Sequence, residues 1–434
     1  MVTTAGFSKL AVLAGKAAGI ANLPYAEYPG PVGIHDIDEI RRNVGLGLVE
    51  RVVEGLTRER AFERDDAGAV DPERSVFSGD FDQVNEHFLA QGWTDRLPVV
   101  PPTADRIRQF LRFTSRPAHD LIGVLPSGNL QATPWNVAAN AIMAGCRPEH
   151  MPILVAATEA LADERAGLNM LGTSSGLIPF LVVNGPVATD LGIVGDAHLV
   201  SRGANPVLGR AIGLIIRNVA GFREGTTHMG TFGYPLAFVV AEYEAASPWA
   251  PFSVDQGFAP GESTVTFGVT NNWGPGPGAA STEDQGGADT ALEMMRREIC
   301  KKVRLYNYPG IGPDAEHVMI TVLMTPSVAR SLAAAGYGKD DVKRHLHEHT
   351  TIRTDDFEWI LRHYSIMRGT LREKVAQGLY PASFLGPPDA MVNVLSSPDI
   401  VHIVVCGDPN RNRLMVLEGA HTRPTTRRVE WPPR

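Results

Sequence analysis

Between residues 105 and 242 the chain alternates between the three-to-four spacing of helices and short apolar runs, which restricts it to folds in which helices cover a sheet. Thr133-Pro134 reads as an N-cap and a first-turn proline, and the alanine-rich run from Trp135 to Ala144 should stop at Gly145. Further helices are expected over 105–113 and about 150–162. The run Phe180-Leu-Val-Val183, closed by Asn184-Gly-Pro186, reads as a buried strand. Asn205-Pro206 then opens a helix to Val219, with Leu208, Ile212, Ile215 and Val219 as its core stripe and Gly221 beyond its end. Leu236 to Glu242 is strand-like again. These signals predict an α/β fold, with mixed or parallel sheets and flanking helices, in two larger lobes plus an N-terminal half-domain.

Residues 1–60 form the half-domain, in which the apolar stretch Phe7 to Ala21, interrupted by Lys9 and Lys16, reads as a packing helix too short to span a membrane. Asp36 and Glu39 make a capping-box-like start for one amphipathic helix with Ile37, Ile40, Val44, Leu48, Val52 and Leu56 on its stripe. Residues 61–92 are expected to be a linker, because Arg58 to Asp82 is charged and aperiodic. A core domain follows over 93–290, including a Gly/Pro-rich stretch from 248 whose segment Asn271 to Gly278 is either a lid or a surface excursion. The second lobe, 291–434, should hold strand His317–Met324, a helix capped by Thr325-Pro326, a helix from about Asp340 and strand Asp399–Cys406.

With 434 residues, 44% of them hydrophobic, the chain can bury a large core, and its net charge of −8 argues against nucleic acid as the main partner. No run approaches a membrane span. Three scattered cysteines make neither a disulfide framework nor a metal knuckle, so a cytoplasmic location is expected.

Cys146 is the leading candidate for chemistry. It lies in the break between two helices, the second starting at Pro148 or Pro152. If that helix starts at Pro148, its N-terminal dipole and Arg147 would lower the thiol pKa, although cysteines more often act as small core residues. Gly172-Thr-Ser-Ser-Gly176 offers Thr173, Ser174 and Ser175 either as an anion cradle or as a plain turn. Arg210, on the Asn205 helix beside Gly209 and Gly213, suits a substrate carboxylate or an ion pair. His345 and His349 share one helix face and are the metal candidates, with His228 and His317 as further ligands; a polar helix face is the ordinary alternative. Cys406 ends a strand where open sheets bind ligands, and Cys300 reads as structural.

Five phrases resemble those of an uncharacterised bacterial family: Asp95-Arg-Leu-Pro-Val-Val-Pro-Pro-Thr103, Asn140-Ala-Ile-Met-Ala-Gly-Cys-Arg-Pro-Glu149, Val183-Asn-Gly-Pro186, Ala204-Asn-Pro-Val-Leu-Gly-Arg-Ala211 and Ser247-Pro-Trp-Ala-Pro251. They span roughly residues 90–270, with His150 and Leu208 as departures, and the resemblance implies a functional Cys146. The first 60 residues resemble the C-terminal end of a UGSC selenoprotein-like domain, through Ala26-Glu-Tyr-Pro-Gly30 and the helix that follows. That family's redox motif, selenocysteine or cysteine followed by Gly-Ser-Cys, belongs upstream of this stretch, which implies a partner polypeptide carrying the other half.

The expected function is a subunit of a heteromeric enzyme acting on a small polar or carboxylate-bearing molecule by thiol-dependent lyase or reductive cleavage chemistry. Cys146 would be its nucleophile or acid/base, with Arg147, Thr173, Ser174, Ser175, Asn184, Asn205 and Arg210 binding substrate. The rivals are a metal-dependent hydrolase or hydro-lyase using His345 and His349, and a non-catalytic scaffold that completes a partner. The cofactor stays open between none and a divalent metal.

Overall fold

The computed structural model describes residues 1–17, 20, 23–30, 32, 35–58, 71, 73–126, 128–173, 176–224, 227–228, 230, 236–274, 287–302, 319–363, 369–418 and 424–432. Strand β1 (Val2–Thr4), helix α1 (Ser8–Ala17) and strand β2 (Ala26–Tyr28) open the chain, β1 and β2 pairing in parallel. The stripe from Ile37 to Leu56 is two helices, α2 (Ile37–Gly45) and α3 (Leu48–Thr57), and not one. The break falls at Gly47, whose φ of +93° is a left-handed conformation that glycine adopts without a Cβ clash. Asp36 caps α2 as expected, accepting from the Asp38 and Glu39 amides.

The expected linker contains α4 (Phe81–Ala90), capped reciprocally by Asp80 and Gln83, and Phe88 on it enters the main core. Its charged composition disguised two apolar anchors, Phe88 and Val84. The first lobe continues with α5 (Ala104–Leu111), β3 (Gly123–Leu125), β4 (Leu130–Ala132), α6 (Pro134–Ala144), α7 (Met151–Leu161), β5 (Ile178–Asn184), α8 (Pro186–Asp190), α9 (Asn205–Asn218), β6 (Phe238–Ala241), α10 (Phe252–Asp255) and β7 (Thr264–Thr270). The second holds α11 (Gly287–Lys302), β8 (Ile320–Met324), α12 (Pro326–Ala334), α13 (Lys339–His349), β9 (Thr351–Arg353), α14 (Thr354–His363), α15 (Leu371–Ala376), β10 (Met391–Asn393), β11 (Val401–Val405) and β12 (Leu414–Glu418). The last strand, β13 (Thr425–Arg428), returns to the first lobe, so the segment 291–434 is not a self-contained lobe.

Two mixed sheets form the centre, one ordered β13-β7-β5-β6 and the other β11-β8-β12. The α/β expectation holds, and the strand period shows how the layers stack. Along β5, Leu181 and Val183 join the core under α6, α7 and α9, while Phe180 and Val182 face the other way. There they meet Leu323, Val404 and Leu417 from the second sheet, whose opposite face packs Val322, Ile403 and Val416 against α11, α12 and α13. The order of layers is therefore helices, sheet, sheet, helices.

Polar seams close this stack. Asn271 N and the Thr270 hydroxyl donate to Glu418 O at 2.8 and 2.9 Å, and Asn272 holds Glu418 N at 3.0 Å. Trp273 stacks on Phe238 with ring centroids 4.2 Å apart, so the described start of the suggested lid, Asn271 to Gly274, is pinned to the stack; residues 275–278 lie outside the described residues. Truncating Leu323 to Ala at the sheet–sheet interface should cost about 2–5 kcal/mol, and the two lobes should still melt together in calorimetry because one core crosses both. Two separated transitions in the wild-type chain would contradict this.

Candidate functional site

Three of the quoted phrases meet at α9, those holding Asp95, Cys146 and the helix itself, while Trp249 of Ser247–Pro251 packs against the second core. Gly209 lets that helix touch the start of β6: a Cβ there would lie 2.1 Å from Ala237 O. Antiparallel to α9 runs α6, tied at one end by the Asn218 amide donating to Asn140 Oδ1 at 2.8 Å and at the other by the Cys146 thiol facing Val207 O at 3.6 Å.

Cys146 belongs to the wrong helix end for an activated thiolate. Gly145, at φ +91°, ends α6 in a left-handed cap, and Cys146 N donates back to Ala141 O at 2.9 Å. The sulfur thus sits by the C-terminal, electronegative end of α6, in the position where such caps favour an apolar side chain. The segment after it is a single tight turn, Pro148–His150, before α7 begins at Met151. Pro148 has no N–H, and the Arg147 N–H is taken by His150 Nδ1 at 3.2 Å. Burial pushes the Cys146 thiol above its ordinary range, against a smaller opposing pull from Arg210, while Arg147 itself is exposed. The expectation of a lowered thiol pKa is corrected on these grounds. Burial, with Arg147 nearby, also brings His150 down to about 4, so it is neutral.

Arg210 is not available to a substrate. Its guanidinium grips Asp95 through two bonds, 2.8 and 2.9 Å, and donates to Pro98 O at 2.8 Å. Asp95 is set by an uncommon turn: Arg96 takes φ +69°, its N–H bonded to the Thr94 hydroxyl at 3.1 Å. Asn205 is a structural staple, its side chain accepting from Val194 N at 2.7 Å and donating to Val194 O, Leu199 O and Val239 O. Asn184 is buried and donates to Glu242 and Glu244. The substrate-binding roles expected of Arg210, Asn184 and Asn205 are thus filled by internal partners.

One narrow slot of about 20 Å³, room for about one water, lies beside α9. Asp95, Arg217, Glu224 and His228 line it together with apolar groups that include Leu171 and Phe222. Arg217 donates to Glu224 at 2.6 Å and to Gly92 O at 2.9 Å, and the Arg217 bond helps hold the Glu224 carboxyl below its usual range against the effect of burial. Burial lowers the His228 pKa, opposed by Glu224, which leaves a neutral imidazole at neutral pH. The Gly172 loop borders the slot, since a Cβ on Gly172 would lie 3.0 Å from Thr227 O and 3.6 Å from the Phe222 ring. Thr173 carries a buried hydroxyl with no protein partner; Ser174 and Ser175 lie outside the described residues. Sequence reasoning missed Asp95 and Glu224, although Asp95 stands in a phrase it singled out.

The expected metal pair does not form a site. His345 and His349 stack ring on ring, centroids 4.1 Å apart, and His349 Nδ1 is engaged with His345 O at 2.9 Å. No cluster of three or more His, Cys, Asp or Glu able to hold a metal occurs among the described residues, and His317 lies outside them. Cys406 is buried in the core between the sheets, not at an open strand edge, and no disulfide joins the cysteines. Comparison with protein-family models, curated proteins and solved structures finds no match for this chain.

Peptide-resolved iodoacetamide labelling should find Cys146 slow, with a midpoint above the ordinary thiol value of about 8.5. Asp95→Ala should accelerate it by freeing the Arg210 charge, while destabilising the fold by about 3–5 kcal/mol through an uncompensated cation. Fast wild-type labelling below pH 8 would restore the activated thiol.

Proposed function

We propose that the chain is an enzyme subunit that acts on a small polar or carboxylate-bearing molecule at the α9 slot, by lyase chemistry in which His228 handles the proton. The observation that carries this reading is the pairing, on one slot, of a neutral imidazole with an arginine-held carboxylate. His228 would take the proton from the carbon next to a substrate carbonyl or carboxylate, and Glu224 would stabilise the imidazolium. The leaving group departs with the bonding pair as the double bond forms. Cys146 serves in this reading as a packing residue just after α6, and the reading uses no thiol-dependent or reductive step.

The same proposal includes a heteromer. β1 and β2 are a two-stranded parallel pair of three residues each, and α3 turns Leu48 and Val52 inward while exposing Val49, Val53 and Leu56 at 50, 51 and 81%. A partner that adds strands beside β1 and covers α3 would bury that stripe. No helix among the described residues is long and apolar enough to cross a membrane, and we place this chemistry in the cytoplasm.

His228→Ala should lower kcat for elimination from small hydroxy or amino acids by about 10²–10⁴-fold, with Cys146→Ser within about threefold of wild type. Because the base works neutral and its pKa is depressed, kcat/KM should fall only as the pH drops below 6.5. Full activity in His228→Ala, or loss in a folded Cys146→Ser, would overturn the assignment.

A further inference from the structure

One carboxyl group joins the two sheets at their β6–β11 edge. Glu242, just past β6, is 5% exposed. Its Oε2 accepts from the Asn184 side-chain amide and from Phe252 N, both at 2.6 Å, and its Oε1 accepts from Val405 N at 3.4 Å. One side chain therefore holds β5, α10 and β11 together, and beside it Tyr243 N donates to Val405 O at 2.8 Å.

The charges around it are not balanced in its favour. Glu244 accepts the second N–H of the same Asn184 amide at 2.9 Å and takes Gly185 N at 2.7 Å, which brings a second carboxyl group close to Glu242. From α13 the buried Lys339 acts on Glu242, but its ammonium is paired at 3.0 Å with Asp255 of α10. From the β11 side come Cys406, whose thiol is pushed up and stays protonated, and His402, brought to about 3 by burial and Lys343 and set edge-on to Phe252. Asn184 Oδ1 is buried without a partner.

We propose that Glu242 is a proton-sensitive latch of the sheet–sheet seam: protonated, it keeps the β6–β11 edge closed, and ionised, it loosens that edge. Burial supports this by pushing its carboxyl up to about 7, against the pull of Lys339 and the donors it holds. In an opened seam the solvated group returns to its ordinary value of 4.5. The closed state therefore binds the extra proton between about 4.5 and about 7; opening gains about tenfold per pH unit across that window and levels off above it.

Hydrogen exchange of the full chain, read as protection factors from pH 4.5 to 8 in peptides containing Phe252 and Val405, tests this, with β8 as internal control. The wild-type seam should lose about 100-fold or more of its protection by pH 7 and then hold steady, while β8 changes less than about threefold. Glu242→Gln should remove the pH response at the seam. Lys339→Met, which keeps the carboxyl and removes the opposing cation, should shift the wild-type loss to higher pH, and it decides the matter if the glutamine variant does not fold. A wild-type seam of constant protection, a glutamine variant that follows wild type, or an unshifted Lys339→Met curve would each overturn the latch.

Discussion

The central stack of this molecule depends on the contact between the inner faces of its two sheets. Phe180, Val182 and Val240 on one side and Leu323, Val404 and Leu417 on the other form one apolar layer, with Phe252 and Cys406 packed into it. Because each strand alternates its side chains, filling this layer also fixes which residues face the helices on the outside. The polar groups that close the stack, Glu242 at one edge and the Asn271–Asn272 turn at the other, are positioned by that contact. Return of β13 to β7 ties the C-terminal segment to the first sheet, which is why the lobes do not divide where the composition suggests.

The slot beside α9 is a product of close packing on one outer face. Gly209 seats the helix on Ala237, Arg210 and Arg217 reach across to the 92–98 segment, and both find carboxylates. Satisfying these arginines internally leaves His228 as the neutral titratable group lining the slot. Under the proposed function, such a group suits proton transfer and not capture of an anion by a bare cation.

Local reasoning reached most helices and strands, because caps and periods are local signals. Thr133-Pro134, Asn205-Pro206 and the run around Phe180 to Val183 all gave elements close to those observed. Its expectation of a lowered Cys146 pKa failed for a reason also visible locally: Gly-Cys after a helix is a capping signature, and the thiol follows the electronegative end of α6. Gly45 and Gly47 within the α2–α3 stripe were a similar signal for a break. The partners of Arg210, Asn184 and Asn205 were not readable in this way, since Asp95 is 115 residues from Arg210 and Glu242 is 58 from Asn184.

By itself the sequence determined the α/β class, the position of most helices and strands, and the set of polar residues that had to be accommodated, because these follow from periodicity, capping and side-chain chemistry within a few residues. Only the tertiary structure decided which of those polar residues satisfy one another and which are left over. Burial and charge pairing act between segments distant in the chain, and they turned Arg210 into an ion-pair partner, Cys146 into a protonated packing residue, Glu242 into a seam carboxyl and His228 into the neutral group facing the slot.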